Sequence, residues 1–422
     1  MVSSIPTYLG PDAVGELVAW ADACGPASYQ IVADDHTWHA LGQRVHQALS
    51  ERGYAVQAVI LPPGSTGEVL PDEEQIAHLL WHAGSPGEER PVYLAAGSGT
   101  ITDLTRFVSH RTGCPFLSLP TAASVDAYAS RNAPLILRRL KQTAQCHTAL
   151  AILADLPTLA QAPHRMTASG FGDLLGKYTC LVDWELAGLL WDEPYRADIA
   201  EDNRALLPDL AAQADAIGHD EPKAIEGLFQ GLLISGHAMV RMGNSRPASG
   251  AEHHLAHYWE NLRLRQGRVP PLHGASVGVG AVLIAEAYAQ LRTLTQSDVR
   301  ATLERTPVPT PDEQRAEIVA AYQDTYDLVY ASHASFLDPD RWRRLRQRLA
   351  TVWDRVLEIM AQVPEPAWLA DCLRRAGAPA TPEELGLSSE EVQAGLRAAH
   401  YIRDRFTVRK LQIALGQEAT RG

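Results

Sequence analysis

Three segments of the chain concentrate residues able to bind a cation: GFGDLLGKYT (Gly170–Thr179), SGAEHHLAHYWE (Ser249–Glu260) and PLHG (Pro271–Gly274). His253 and His257 stand four apart, so on a helix they share one face, while His254 points about 100° round the axis. Two imidazoles on one face suit a metal. Asp173 and His273 can complete a His/His/Asp set with an open position, a donor set for zinc, nickel or iron(II). Spacing alone leaves open whether His253 and His257 are both ligands or one of them faces a substrate. With 5 cysteines and no CxxC pair against 16 histidines, thiolate zinc and a disulfide framework are excluded.

A second chemistry sits upstream. The apolar run Val92–Ala95 enters Gly97-Ser98-Gly99-Thr100 and then Ile101-Thr102-Asp103-Leu104, which opens a helix. A strand, a glycine turn and a helix N-terminus present unpaired N–H groups and a positive dipole end to an anion such as a pyrophosphate. The turn is not the GxGxxG fingerprint, and alone it also fits an ordinary βα connection. The next strand, Phe116–Leu119, leads into Pro120-Thr121-Ala122-Ala123-Ser124-Val125-Asp126, small and hydroxyl residues at the edge where open α/β sheets hold ligands. Asp126 reads equally as a helix cap or as a carboxylate that orients a substrate hydroxyl. Asp34 or Asp35, after the first strand, could bond an adenosine ribose, but capping the helix that starts near His36 is the preferred reading.

These segments need a scaffold. Short β-type runs (Tyr29–Ala33, Tyr54–Leu61, Val92–Ala95, Phe116–Leu119, Ala149–Ala154) alternate with helical patterns at His36–Arg52 and Asp72–Ala83, which predicts a parallel sheet wrapped by helices. After Pro163 the spacing turns helical, as in Asp173–Leu190, Pro222–Met242, Gly274–Leu291 and Pro311–Tyr330. The expected fold is α/β plus all-α: a Rossmann-like parallel-sheet domain over 1–162 and an all-helical metal- and substrate-binding domain over 163–422. The 422 residues suffice for two cores. A net charge of −13 repels a phosphate backbone, so nucleic acid is not expected as a partner. The most apolar stretch, Gly274–Leu291, is broken by Glu286, so no membrane association and a cytoplasmic location are expected. The arginine-rich run Arg341–Arg348 reads as the solvated side of a helix.

Taken together, GSGTITD (Gly97–Asp103), LPTAASVDAYAS (Leu119–Ser130), ASGFGDLLGKYTCLVDW (Ala168–Trp184), NSRPASGAEHHLAHYWE (Asn244–Glu260), LHGASVGVG (Leu272–Gly280) and IRDRFTVRKL (Ile402–Leu411) resemble the sn-glycerol-1-phosphate dehydrogenases, in particular their bacterial, nickel-type branch. These belong to the iron-containing alcohol dehydrogenase and dehydroquinate synthase-like superfamily. The resemblance implies that Gly97, Ser98, Gly99, Thr100, Ile101, Thr121, Ala122, Ala123, Ser124 and Ser130 contact NAD or NADP. It implies one divalent metal, nickel or zinc and possibly iron, on Asp173, His253 and His273. Asp126, Asp173 and His257 would meet the substrate, with Asp126 and His257 as the catalytic pair.

The implied reaction is reversible reduction of dihydroxyacetone phosphate to sn-glycerol 1-phosphate in a homodimer. The rivals are a glycerol or polyol dehydrogenase, a dehydroquinate synthase-like cyclase, and a non-catalytic nucleotide or metal sensor. Ser98 departs from the three successive glycines of many relatives, which bears on the diphosphate turn and on cofactor choice. Lys177, Arg131 and Arg246 are the candidate cations for the substrate phosphate.

Overall fold

The computed structural model describes residues 5–24, 28–83 and 90–417. Eight strands occur among them: β1 (Thr7–Gly10), β2 (Ser28–Asp34), β3 (Ala55–Leu61), β4 (Val92–Gly97), β5 (Phe116–Pro120), β6 (Asn132–Leu137), β7 (Leu140–Gln145) and β8 (Ile152–Asp155). Six form one sheet in the order β1-β8-β5-β4-β2-β3, and every pairing in it is parallel. β4 and β5 are buried along their whole length, as befits apolar strands covered on both faces. Gly97 and Pro120 are register partners at the ends of β4 and β5, so the two segments that follow start side by side.

Three strands were not expected from the sequence: the four-residue edge strand β1, and β6 and β7, which pair with each other as an antiparallel hairpin outside the main sheet. The expected helix His36–Arg52 is interrupted. It opens at Asp35–Thr37, passes through a wide turn over Trp38–Gly42 and resumes at Gln43–Glu51. Asp34 is its cap: its carboxylate accepts from the Thr37 N–H at 2.8 Å, and Thr37 Oγ1 takes the Asp34 N–H in return.

The chain divides into two compact units. The first comprises residues up to Phe171 together with Asp215–Asn244 and Leu264–Val269; the second comprises Gly172–Ala214, Ser245–Arg263 and the chain from Pro270 onward. The division therefore falls inside the His164–Leu175 helix, not at 162/163, and the Pro222–Met242 helix returns to the sheet-bearing unit. The reason is packing: the Phe229 ring of that helix lies 5.5 Å from that of Tyr128, tilted against it, and a Cβ on Gly236 would lie 2.8 Å from the Asp126 carbonyl.

Among its described residues the second unit contains helices and turns but no strand. The expected Asp173–Leu190 helix is two, His164–Leu175 and Lys177–Trp191, joined at Gly176. The Arg341–Arg348 run lies on the Pro339–Met360 helix, whose Trp342, Leu345, Leu349 and Trp353 face inward. His273–Leu291 is long and apolar enough to cross a membrane, yet most of it is buried within the unit, as in the core helix of a globular protein.

Candidate active site

In the first unit, β4 delivers Gly97 and Ser98 to the start of the Gly99–Thr112 helix. A side chain on Gly97 would meet Ile101 at 2.5 Å, and one on Gly99 would meet Val125 at 2.9 Å, so both positions are held to glycine by crowding. Ser98 needs no such exemption. Its φ of −83° is ordinary for any residue, so serine fits this turn without backbone strain. As N-cap it makes no side-chain bond to the first turn, which leaves the N–H donors around Gly99, Thr100 and Ile101 for an anion.

The neighbouring segment Thr121–Ser130 lies against these turns and is almost entirely buried. Tyr128 donates to the Ala122 carbonyl at 2.7 Å and meets Ser124 at 3.2 Å. Ser169 donates to the Ser124 carbonyl at 3.2 Å, and the next residue, Gly170, has no room for a Cβ against the Ala123 carbonyl. Asp126 caps no helix. Its carboxylate accepts from Ser235 at 2.7 Å and is nearly buried. Ser130 donates to the Asn132 carbonyl and accepts the Asn132 N–H, which closes the loop.

Arg106 was not singled out from the sequence, yet it ties together the two segments expected to contact a cofactor. Fully buried on the Gly99–Thr112 helix, it donates to the carbonyls of Ala127, Tyr128 and Asn132 and to the Asp103 carboxylate, at 2.7–3.0 Å. Burial pushes the Asp103 carboxyl up to about 7 against the pull of Arg106.

The second unit brings Asp173, His253, His257 and His273 together. Their helices can approach because glycine meets glycine: a Cβ on Gly172 would lie 2.4 Å from the Gly274 carbonyl, and one on Gly278 would lie 3.1 Å from Gly172 Cα. Side chains flanking that crossing, Asp173 and His273, are thereby drawn close. His253 enters from the Ala251–Arg265 helix, with its Nε2 3.4 Å from Asp173 Oδ1. One donor atom from each of Asp173, His253 and His273 falls within 4.8 Å of the others.

This arrangement fits a metal. Tetrahedral bonds of about 2.0–2.1 Å place neighbouring donors roughly 3.3 Å apart, close to the Asp173–His253 separation. Glu252 Oε1 lies 2.7 Å from His253 Nδ1, and Glu260 Oε1 lies 2.7 Å from His273 Nδ1. Each imidazole thus has its Nδ1 held by a carboxylate and its Nε2 left for an ion, the support that metal-binding histidines require. A second group, His257, Glu260 and His273, is also clustered. There the His273–Glu260 distance is a hydrogen bond, too short for two donors on one ion, so Glu260 is an orienting group and not a ligand. Its other oxygen meets His257 Nδ1 at 3.2 Å, so one carboxylate aims both rings, which stack 5.1 Å apart.

Lys177 is buried and donates to Asp173 Oδ1 at 3.3 Å, to the Asp173 carbonyl and to the Ala248 carbonyl. Burial opposes ionisation of Asp173, and Lys177 with His253 and His273 more than offsets it, holding the carboxyl well below its usual range. For His253, burial is outweighed by Asp173 and Glu252, so its affinity for a proton rises. A proton between His253 and Asp173 occupies the place a cation would take.

His254, on the same helix, points away as its spacing required. It is buried, and neither ring nitrogen has a partner. Of the three candidate phosphate cations, Lys177 is committed to Asp173. Arg246 is buried against Glu193, and Arg131 donates from Nε to the Cys146 carbonyl. The orienting glutamates Glu252 and Glu260 were missed from sequence, although carboxylates one residue before and three after a clustered histidine are a usable signal.

The chain is similar to known proteins over most of its length. Residues 8–163 match the iron-containing alcohol dehydrogenase family. The chain is 34% identical over 401 residues to a glycerol-1-phosphate dehydrogenase [NAD(P)+] from Geobacillus stearothermophilus, covering 95% of this chain and 90% of that protein. It is 35% identical over 400 residues to the enzyme of the same name from Halalkalibacterium halodurans, covering 95% and 90%. The crystal structure of a glycerol dehydrogenase from Schizosaccharomyces pombe shares the fold, with a TM-score of 0.60 at 17% identity over 98% of this chain and 88% of that one.

Proposed function

The chain belongs to the glycerol-1-phosphate dehydrogenases of the iron-containing alcohol dehydrogenase family, and from that premise we propose that it reversibly reduces dihydroxyacetone phosphate to sn-glycerol 1-phosphate with NADH or NADPH. The observation that carries the reading is the Asp173–His253–His273 cluster, buried except for part of His273, with His253 aimed through Nδ1 by Glu252 and His273 by Glu260. Nickel, zinc or iron(II) suits that donor set. Such an ion, when bound, polarises the carbonyl oxygen, and the nicotinamide supplies the hydride.

The chain's own residues do the rest. Gly97, Ser98, Gly99, Thr100 and Ile101 offer a helix N-terminus to the cofactor diphosphate, while Thr121, Ala122, Ala123, Ser124 and Ser130 shape the wall beside it. Asp126, aimed by Ser235, accepts from a substrate hydroxyl. His257, in its protonated form, gives its Nε2 proton to the oxygen that gains charge and keeps Nδ1–H on Glu260. Glu260 balances the imidazolium before transfer and fixes the neutral tautomer after it. Cytoplasmic residence and a homodimer complete the proposal.

The test is NADH oxidation with dihydroxyacetone phosphate and with dihydroxyacetone, each across nickel, zinc, iron and manganese. Turnover that requires both a metal and the phosphorylated ketone is expected. Equal rates on the two ketones would refute the phosphate reading in favour of a polyol dehydrogenase, and full activity after chelation would refute the metal.

A further inference from the structure

A substrate that carries a phosphate needs positive charge, and in the second unit three arginines gather near the start of the Ala251–Arg265 helix. Arg246 and Arg405 direct their Nη1 groups to the same acceptor, the Ser249 carbonyl, at 3.4 and 3.3 Å. Two guanidinium groups therefore converge on one neutral oxygen. Arg246 is accounted for: it is buried, paired with Glu193 at 3.0 Å, and donates to the carbonyls of Asp183 and Phe406. Arg405 is not paired in that way. Its side chain donates to the Ser249 carbonyl and to Ser245 Oγ at 2.8 Å, both neutral, and it forms no ion pair among the described residues. Two of its five N–H donors are used and three are left.

Arg403 precedes it on the same turn, where the Arg405 N–H donates to the Arg403 carbonyl. Glu193 is the carboxylate set against this group, and its second oxygen is occupied by the Phe406 N–H. Burial and then the neighbouring Arg246 and Arg403 weaken the proton affinity of Arg405, against the pull of Glu193. The location matters as much as the charge. Ser249, which Arg405 bonds, follows Ala248, whose carbonyl accepts from Lys177 of the metal cluster, and it lies two residues before the helix that carries His253 and His257.

We propose that Arg405, supported by Arg246 and Arg403 and aimed by Ser245, is the subsite for the phosphomonoester of the substrate. This rests on the function proposed above. A planar guanidinium with free donors can take two phosphate oxygens side by side, a geometry that a lysine does not provide. The 2′-phosphate of NADPH has the same chemistry, so the test must separate the two.

The experiment compares wild type, Arg405→Gln and the milder Ser245→Ala as metal-loaded full-length enzymes. For R405Q the KM for dihydroxyacetone phosphate is expected to rise by about tenfold or more, with a smaller change in kcat, the worth of a hydrogen bond to a charged group. The ratio of kcat/KM on dihydroxyacetone phosphate to that on dihydroxyacetone falls by the same factor, inhibition by inorganic phosphate weakens in parallel, and S245A shifts these values in the same direction by less. An unchanged KM, an equal loss on both ketones with a lower melting temperature, or a loss confined to the KM for NADPH would each overturn the assignment. If wild type does not reduce dihydroxyacetone phosphate at all, the proposed function fails, and calorimetric titration with inorganic phosphate still decides the subsite. Tighter binding to wild type than to R405Q supports it, whereas equal or absent binding refutes it.

Discussion

Replacing Glu252 by glutamine isolates the orienting role of a carboxylate from its role in folding. Glu252 is fully buried: Oε1 accepts from the Gly250 N–H and from His253 Nδ1, both at 2.7 Å, and Oε2 accepts from Thr179 at 2.7 Å. A glutamine keeps its oxygen at the Oε1 position, because two donors already face it. Its NH2 then meets Thr179 Oγ1, which can turn its own proton to the Gly176 carbonyl at 3.0 Å and accept. Every hydrogen bond has a replacement, so the metal-free protein should lose no more than about 1 kcal/mol of stability. What disappears is the negative charge behind His253. Loss of such a partner typically weakens a metal site by about 10–100-fold. That corresponds to roughly 1.4–2.8 kcal/mol of binding free energy. Competition between protein and a chelator for zinc or nickel measures the affinity, and thermal melts of the metal-free forms measure stability. A variant with unchanged metal affinity would refute the orienting role, and one that loses stability as much as affinity would make Glu252 a structural residue.

Gly172→Ala places a methyl 2.4 Å from the Gly274 carbonyl, so the two helices must part. A loss of about 1–3 kcal/mol in denaturant melts is expected, together with weaker metal binding because Asp173 and His273 separate. Arg106→Met leaves the carbonyls of Ala127, Tyr128 and Asn132 without their donor. It should cost about 3 kcal/mol or more, and steady-state kinetics should show a higher KM for NADH. His400 is buried, and burial, followed by Lys410 and Arg409, holds its pKa well below the ordinary value. It stays neutral in the folded chain while the unfolded chain takes up a proton below about pH 6.5, so its contribution is present above that pH and is lost as pH falls. His400→Gln removes this linkage, and denaturant melts between pH 6.5 and 5 should show the variant losing stability less steeply, by up to about 1.4 kcal/mol per pH unit.

The parallel sheet was legible because β2, β4 and β5 are continuous apolar runs separated by helical spacing, a pattern set by burial on both faces. β1 escaped because four residues at a sheet edge, TYLG, carry no periodicity, and β7 because LKQTAQ is polar and half-exposed. The return of Asp215–Asn244 to the first unit is a tertiary outcome. Nothing local in that helix announces that Phe229 will meet Tyr128. At the site, helical spacing paired His253 with His257 but could not choose between them; the resemblance supplied the choice. The orienting bonds of Glu252 and Glu260 depend on side-chain geometry and stayed out of reach. Asp34 was read as a cap and is one, whereas Asp126 was open between cap and ligand and no helix starts at it.

Lys177 adds a consequence that the ligand set alone does not contain. An ammonium that shares Asp173 Oδ1 draws on the same negative charge a metal would use. An ion held there would be neutralised less by the carboxylate, so it would keep more Lewis acidity and be held more loosely. Lys177 would thus set affinity against reactivity without being a ligand itself, and exchange of one divalent metal for another should be easier here than the depth of burial suggests.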